Sequence, residues 1–235
     1  MGKEPYRREA GQLKKILILS EGPTEETFVR DVLYPHLSNI GVIAIPVIAA
    51  TKRVKAGPDF KGGITSYGKF RKEIKRLLAD TSAVCVTTMI DYYGLPADFP
   101  GREALSGKSS FERVRSIEGA LDQDIAHRKF VPYLSLHEFE ALLFSSPAEI
   151  AGVAPESDVE KDLVSIKRSF ASPEEINDDP RTHPAARISG LIPAFRKLPH
   201  SPIIAGRIGI DAIRKECRHF DAWLSKLEEF GECVD

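Results

Sequence analysis

The stretch Leu13-Lys14-Lys15-Ile16-Leu17-Ile18-Leu19, followed at once by Ser20-Glu21-Gly22-Pro23-Thr24-Glu25-Glu26, decides the fold. The first part is a short, β-rich apolar run and reads as a buried strand. The second is a turn into a helix, with Pro23 near the start, where its missing N–H costs nothing. Phe28, Val32 and Leu33 then recur at helical spacing, which predicts a helix over Thr24–Leu37. Gly41 ends that unit and Val42–Ile48 is the second strand. The alternation continues with helix Tyr67–Leu78, strand Ala83–Ile90, helix Phe111–Arg128 and strand Phe130–Leu136. Pro132 has no N–H for a ladder, so this fourth strand belongs at an edge. Such alternation predicts an α/β fold with a mostly parallel four-stranded sheet flanked by helices.

After His137 the pattern changes. Pro202–Ala205 is the one short strand candidate. His137–Phe144, Glu156–Phe170, Pro184–Phe195, Ile208–Lys215 and Phe220–Phe230 read as helices. The expected layout is a frayed segment 1–12, an α/β domain 13–145 and a C-terminal helical extension 146–235. The 235 residues are 42% hydrophobic and 29% charged, which excludes wholesale disorder and a fibrous repeat. Net charge is −1, so any nucleic-acid binding must come from local patterning. Val42–Ala50, the longest apolar stretch, is too short to cross a bilayer. No signal peptide is evident, and three cysteines without a CxxC give neither a disulfide framework nor a zinc site. The protein is expected in the cytoplasm, with no membrane partner.

Three places carry acids at predicted strand ends. Glu21 follows strand one, next to Gly22 where the chain turns, and Glu25 opens the helix; the simpler reading of this motif is helix capping. Asp91 closes strand three in Asp91-Tyr92-Tyr93-Gly94, where a turn-forming Asp is the plainer alternative. His137-Glu138-Phe139-Glu140 follows strand four. Glu138 and Glu140, two apart, fall on different helical faces, so one is expected to face the site, whereas His137 and Glu140 share a face. Ligands bind at the carboxyl edge of open α/β sheets, and carboxylates there suit a hard divalent cation.

A strand followed by Glu-Gly-x-x-x-Glu, with an Asp closing a later strand, resembles the Toprim domain of topoisomerases, bacterial primases and overcoming-lysogenisation-defect nucleases. More closely, the chain resembles an uncharacterised Toprim-like bacterial family found beside ATPase genes. The matching pieces are Glu21–Glu25, Asp91–Gly94, His137–Glu140, and Ala205–Asp211 through Cys217–Phe220 and Trp223. The resemblance implies that Glu21 is a general acid or base and that Asp91 holds Mg²⁺ or Mn²⁺, with Glu25 a further catalytic candidate. The second Asp of the Toprim pair is replaced by Tyr93, so Glu138 or Glu140 is expected to supply the missing carboxylate. Glu21, Asp91, Glu138 and Glu140 are thus the metal-ligand candidates.

Basic residues crowd positions 52–76: Lys52, Arg53, Lys55, Lys61, Lys69, Arg71, Lys72, Lys75 and Arg76. They suit a phosphate-seeking loop and helix, or else a solvated helical face. Arg207 and Arg214, two turns apart, form a weaker cluster. The Gly-Lys-Ser at Gly107–Ser109 lacks the glycine spacing and strand of a P-loop. Cys217 reads as core rather than nucleophile. Together these features lead to an expectation of divalent-metal-dependent phosphodiester chemistry on DNA or RNA, that of a nuclease in anti-phage defence. An ATPase subunit and a second copy of the chain are the expected protein partners. The alternative is a non-catalytic module that binds an ATPase or nucleic acid.

Overall fold

The fold is taken from a computed structural model that describes residues 13–49, 64–102, 109–155, 158–176, 179 and 181–232. Segment 1–12 and Lys52, Arg53, Lys55 and Lys61 of the basic loop lie outside the described residues. Strand β1 (Lys14–Ser20) runs parallel to β2 (Val42–Ile48) on one side and to β3 (Ala83–Asp91) on the other. Two short strands, β4 (Phe130–Val131) and β5 (Leu134–Ser135), both pair with β3 in parallel. The order β2-β1-β3-β4 therefore reverses direction between β1 and β3. In open parallel sheets that reversal opens a crevice at the carboxyl ends of the two strands.

Alternate residues of the strands feed two cores. Leu17, Leu19, Val86 and Ile90 face α3 (Tyr67–Leu78) and α4 (Ser110–Ile125), meeting Phe70, Ile74, Val114 and Leu121. Ile16, Ile18, Cys85 and Met89 face the other layer. That layer starts with α1 (Pro23–Phe28), which passes through a π-helical turn at Val29–Leu33 into α2 (Tyr34–Ser38). The C-terminal helices share its core: α7 (Pro184–Leu191), α8 (Lys197–Ile208), α9 (Ile210–Glu216) and α10 (Arg218–Glu232) contribute Ile188, Ile204, Ile213 and Phe220. Two other helices, α5 (Pro147–Ala151) and α6 (Glu160–Arg168), complete it. Among the described residues no helix is long and apolar enough to cross a membrane.

The predicted fourth strand is at the edge, but it is split. Pro132 and Tyr133 fall between β4 and β5, which keep one register on β3 (Val86 opposite Phe130, Ile90 opposite Leu134). Thr88 closes the gap. Its hydroxyl accepts from Tyr133 N at 2.9 Å and donates to Tyr133 O at 2.6 Å. We expect Thr88→Val, nearly isosteric, to destabilise the fold by about 1–3 kcal/mol, because two buried backbone groups lose their partner. Urea denaturation checks this; an unchanged midpoint would mean that the edge pairs without the hydroxyl.

Other sequence expectations are corrected here. Pro202–Ala205 is helical, inside α8. Phe139–Ser145 is a 3₁₀ rather than an α-helix. Gly209, at φ 79°, breaks the chain between α8 and α9, so Arg207 and Arg214 do not share a helix face. Arg207 stays exposed. Arg214 is spent inside the fold, on Asp221 at 2.6 Å, Glu228 at 2.6 Å and Ser225 at 2.9 Å. Cys217 is buried core, as expected.

Candidate active site

Because β1 and β3 are parallel neighbours, their carboxyl ends meet. Glu21 N donates to Met89 O at 3.1 Å, and Glu21 Oε2 accepts from Asp91 N at 2.9 Å. Asp91 Oδ1 in turn accepts from Phe139 N at 2.9 Å, which ties the strand end to the 3₁₀ helix. Glu25 sits at the third position of α1, and its carboxylate accepts from Gly22 N at 2.9 Å, the one half of a capping box that a glycine N-cap allows. Capping thus accounts for Glu25 but not for Glu21. Gly22 itself has an extended backbone, and an added Cβ would lie 3.5 Å from Glu25 Oε2, an ordinary contact. The turn there does not demand glycine.

Glu138 and Glu140 both reach the site, contrary to the helical-face expectation. Glu138 is not helical: it caps the 3₁₀ helix in an extended conformation, φ −155° and ψ 164°. Both carboxylates converge on a residue that the local pattern does not reveal. Lys197 Nζ lies 2.8 Å from Glu138 Oε2 and 2.8 Å from Glu140 Oε2. Glu138 Oε1 accepts from Ala185 N and lies 2.8 Å from His183 Nδ1. Ser201 Oγ donates to Glu140 Oε1 at 3.0 Å. His183, the residue before α7, also stacks on Tyr93, with ring centroids 5.4 Å apart. Tyr93 therefore sets its ring against a histidine at the edge of the acid cluster.

His137 does not share a helical face with Glu140. It precedes the helix at φ 63°, in the left-handed region, and is buried edge-on to Tyr92 at 6.3 Å. A non-glycine residue held there stores backbone strain beside the acids, as functional sites often do.

Five carboxylates and one ammonium make the charges unequal. Burial pushes Glu21 up to about 7, against the pull of the Asp91 N–H and Lys197, with Glu140 and Glu138 adding to the push. Glu25 also rises to about 7, by burial and then by Glu140 and Glu21, with its own backbone N–H and Lys197 opposing. Asp91 is raised well above its ordinary value by burial and by Glu21 and Glu25. Glu140 is raised by burial, with Lys197 working against it. Glu138 goes the other way: burial is outweighed by His183, Lys197 and the Ala185 N–H, which hold it at about 2. The ammonium of Lys197 stays charged, because the surrounding acids outweigh its burial. Burial and mutual repulsion thus favour the protonated form of the strand-end acids, where positive charge is scarce.

The family described as Domain of unknown function (DUF4276) matches residues 20–228. The chain belongs to the DUF4276 family. No curated protein and no solved structure matched it. The match begins one residue before Glu21 and contains all five carboxylates, His183 and Lys197, so in this DUF4276 chain the whole cluster lies inside the family domain. Hard oxygen donors of this kind suit Mg²⁺ or Mn²⁺ rather than zinc or copper. Among the described residues, however, no three His, Cys, Asp or Glu are already spaced to hold one ion.

The basic helix of the DUF4276 chain spans the height of the sheet. At its start, Tyr67 N donates to Asp98 Oδ2 at 2.9 Å, on the loop after β3, so Lys69 lies toward the carboxyl edge. At its far end, Asp80 pairs with Lys15 at the start of β1, 2.6 Å away, so Lys75 and Arg76 lie toward the opposite edge. Arg71 and Arg76 are paired with Asp124 and Glu73. Lys72 is exposed, without an ion pair among the described residues.

Proposed function

We propose that this protein carries out divalent-metal-dependent phosphodiester chemistry on nucleic acid, as a nuclease working with an ATPase partner in bacterial defence. One observation carries the reading: acids from two adjacent parallel strand ends and from the following 3₁₀ helix gather at the sheet's reversal point. The resemblance of Glu21–Glu25 and Asp91 to a Toprim site supports it. Asp91 and Glu140 are the residues that would hold Mg²⁺ or Mn²⁺, with Glu21 beside them. Glu138 is already occupied by three donors and serves to orient Lys197 and His183. Bound there, the ion would supply Lewis-acid stabilisation of charge on the scissile phosphate. Glu21, with a pKa near 7, holds and releases a proton at neutral pH and is the group suited to serve the attacking or leaving oxygen. The acid cluster cannot itself attract a polyanion, so backbone contacts fall to the basic segment.

The test is cleavage of DNA and of RNA by the full chain with its ATPase partner, in Mg²⁺ or Mn²⁺, with and without chelator. Products that vanish with chelator support the reading. Their absence under every condition would favour the second reading, a non-catalytic binding module. Tyr93 at the second Asp position and the ammonium of Lys197 among the acids favour that alternative.

The placement of the two ends of the basic helix at opposite edges of the sheet gives a positional prediction. Reversing Lys69 and Lys72 together is expected to weaken nucleic-acid binding and to reduce the salt slope by about one for each phosphate no longer neutralised. Reversing Lys75 and Arg76, at the far edge, should do less. Binding isotherms at several salt concentrations decide; equal weakening from both pairs would remove the link between this helix and the acid site.

A further inference from the structure

We infer that Lys197 is the built-in counter-ion of the acid cluster, and that a divalent cation binds there only by displacing it. The inference rests on the metal-site reading above and concerns how that site is regulated. Lys197 Nζ sits 2.8 Å from both Glu138 and Glu140, and its charge is also felt by Glu21, Glu25 and Asp91. It sits directly against Glu140, one of the donors that would otherwise close on an ion. An ammonium 2.8 Å from both carboxylates leaves no room for a metal ion between them, and a second positive charge close by would be repelled.

The same geometry makes the exchange feasible. Lys197 enters from solvent, with 47% of its side chain exposed, so its stem is not locked into a core. The next residue, Leu198, has φ −112° and ψ 126°, so Lys197 stands outside the regular turns of α8 and is not fixed by them. When the ammonium leaves, Glu138 keeps Ala185 N and His183 on Oε1. Glu140 is different: its Oε2 is buried, and the ammonium is the group that neutralises it. The oxygen uncovered by the departure of Lys197 is therefore one that an incoming ion would take. An ammonium released in this way stays tethered at the mouth of the site, as a cation available to a phosphate.

Mn²⁺ alone is the probe, with the full chain. Free-ion electron paramagnetic resonance measures its binding to wild type, Lys197→Met and Lys197→Arg. Met is expected to tighten Mn²⁺ about ten- to a hundredfold by removing a competing charge, and Arg to leave it at or below the wild-type affinity. Acetylation of wild-type amines, read by mass spectrometry, gives a second measure that needs no variant. Lys197 should be protected relative to Lys161, whose side chain is 82% exposed, and should lose that protection as Mn²⁺ saturates. Mn²⁺ that binds wild type and Lys197→Met equally, with Lys197 still protected at saturation, overturns the inference and leaves the metal reading standing. Mn²⁺ that binds neither protein overturns both. Should Lys197→Met fail to fold, the wild-type labelling decides.

Discussion

Glu21→Gln is expected to lower cleavage by about 10²–10⁴-fold, because the amide keeps the shape and an acceptor for Asp91 N–H but cannot move a proton. The same substitution should stabilise the metal-free fold. Glu21 rises from 4.5 in the unfolded chain to about 7 in the fold. A raised pKa gives stability that is fully present below the unfolded value and is lost as pH rises through the folded one. At mildly alkaline pH the wild type has lost that contribution, whereas Gln never had a charge to bury. The variant should therefore gain about 1–3 kcal/mol there and nothing in acid, below the unfolded value. Single-turnover cleavage and urea midpoints at both pH values measure the two effects. A variant less stable than wild type in alkali, or one that cleaves as fast, would make Glu21 a structural acceptor only.

Glu138→Ala is expected to fail in the opposite way, through stability. Its carboxylate is buried and holds His183, the Ala185 N–H and Lys197 at once. Removing one partner of a buried ionic network leaves the others uncompensated, a loss of about 3–5 kcal/mol. The sign with pH also reverses. Glu138 falls from 4.5 to about 2 on folding, so its contribution is present above the unfolded value and fades as pH drops through the folded one. The gap between wild type and variant should be widest near neutrality and should narrow in acid. Calorimetry across that range tests it, and a pH-independent gap would mean that packing, not charge, is what Glu138 contributes.

These two glutamates also mark what the sequence can and cannot reveal. Glu21 and Asp91 are legible because alternating strands and helices force parallel pairing, and parallel neighbours bring their carboxyl ends to one edge. The split of the last strand is legible only in part: Pro132 announces an edge, but the hydroxyl of Thr88 that bridges the gap is a cross-strand contact with no local signal. A helical period misplaces Glu138 and Glu140, because it runs through a residue that is extended. Lys197 leaves no trace in any local pattern, because it meets Glu138 across 59 residues of chain and sits outside the regular turns of its helix. His183, in the sequence one histidine of six, reaches the same carboxylate by the same kind of long-range contact. The basic run is plain as composition, yet only the fold separates Lys69, near the acid edge, from Arg76, at the other.

Anomalous diffraction from crystals soaked in Mn²⁺ near neutral pH tests the central claim most directly. One Mn²⁺ peak is expected at the β1–β3 crevice, held by Asp91 and Glu140 with Glu21 beside it, and Lys197 withdrawn from Glu140. A crevice without a peak, with Lys197 still 2.8 Å from both glutamates, or a peak held elsewhere on the chain, would contradict it.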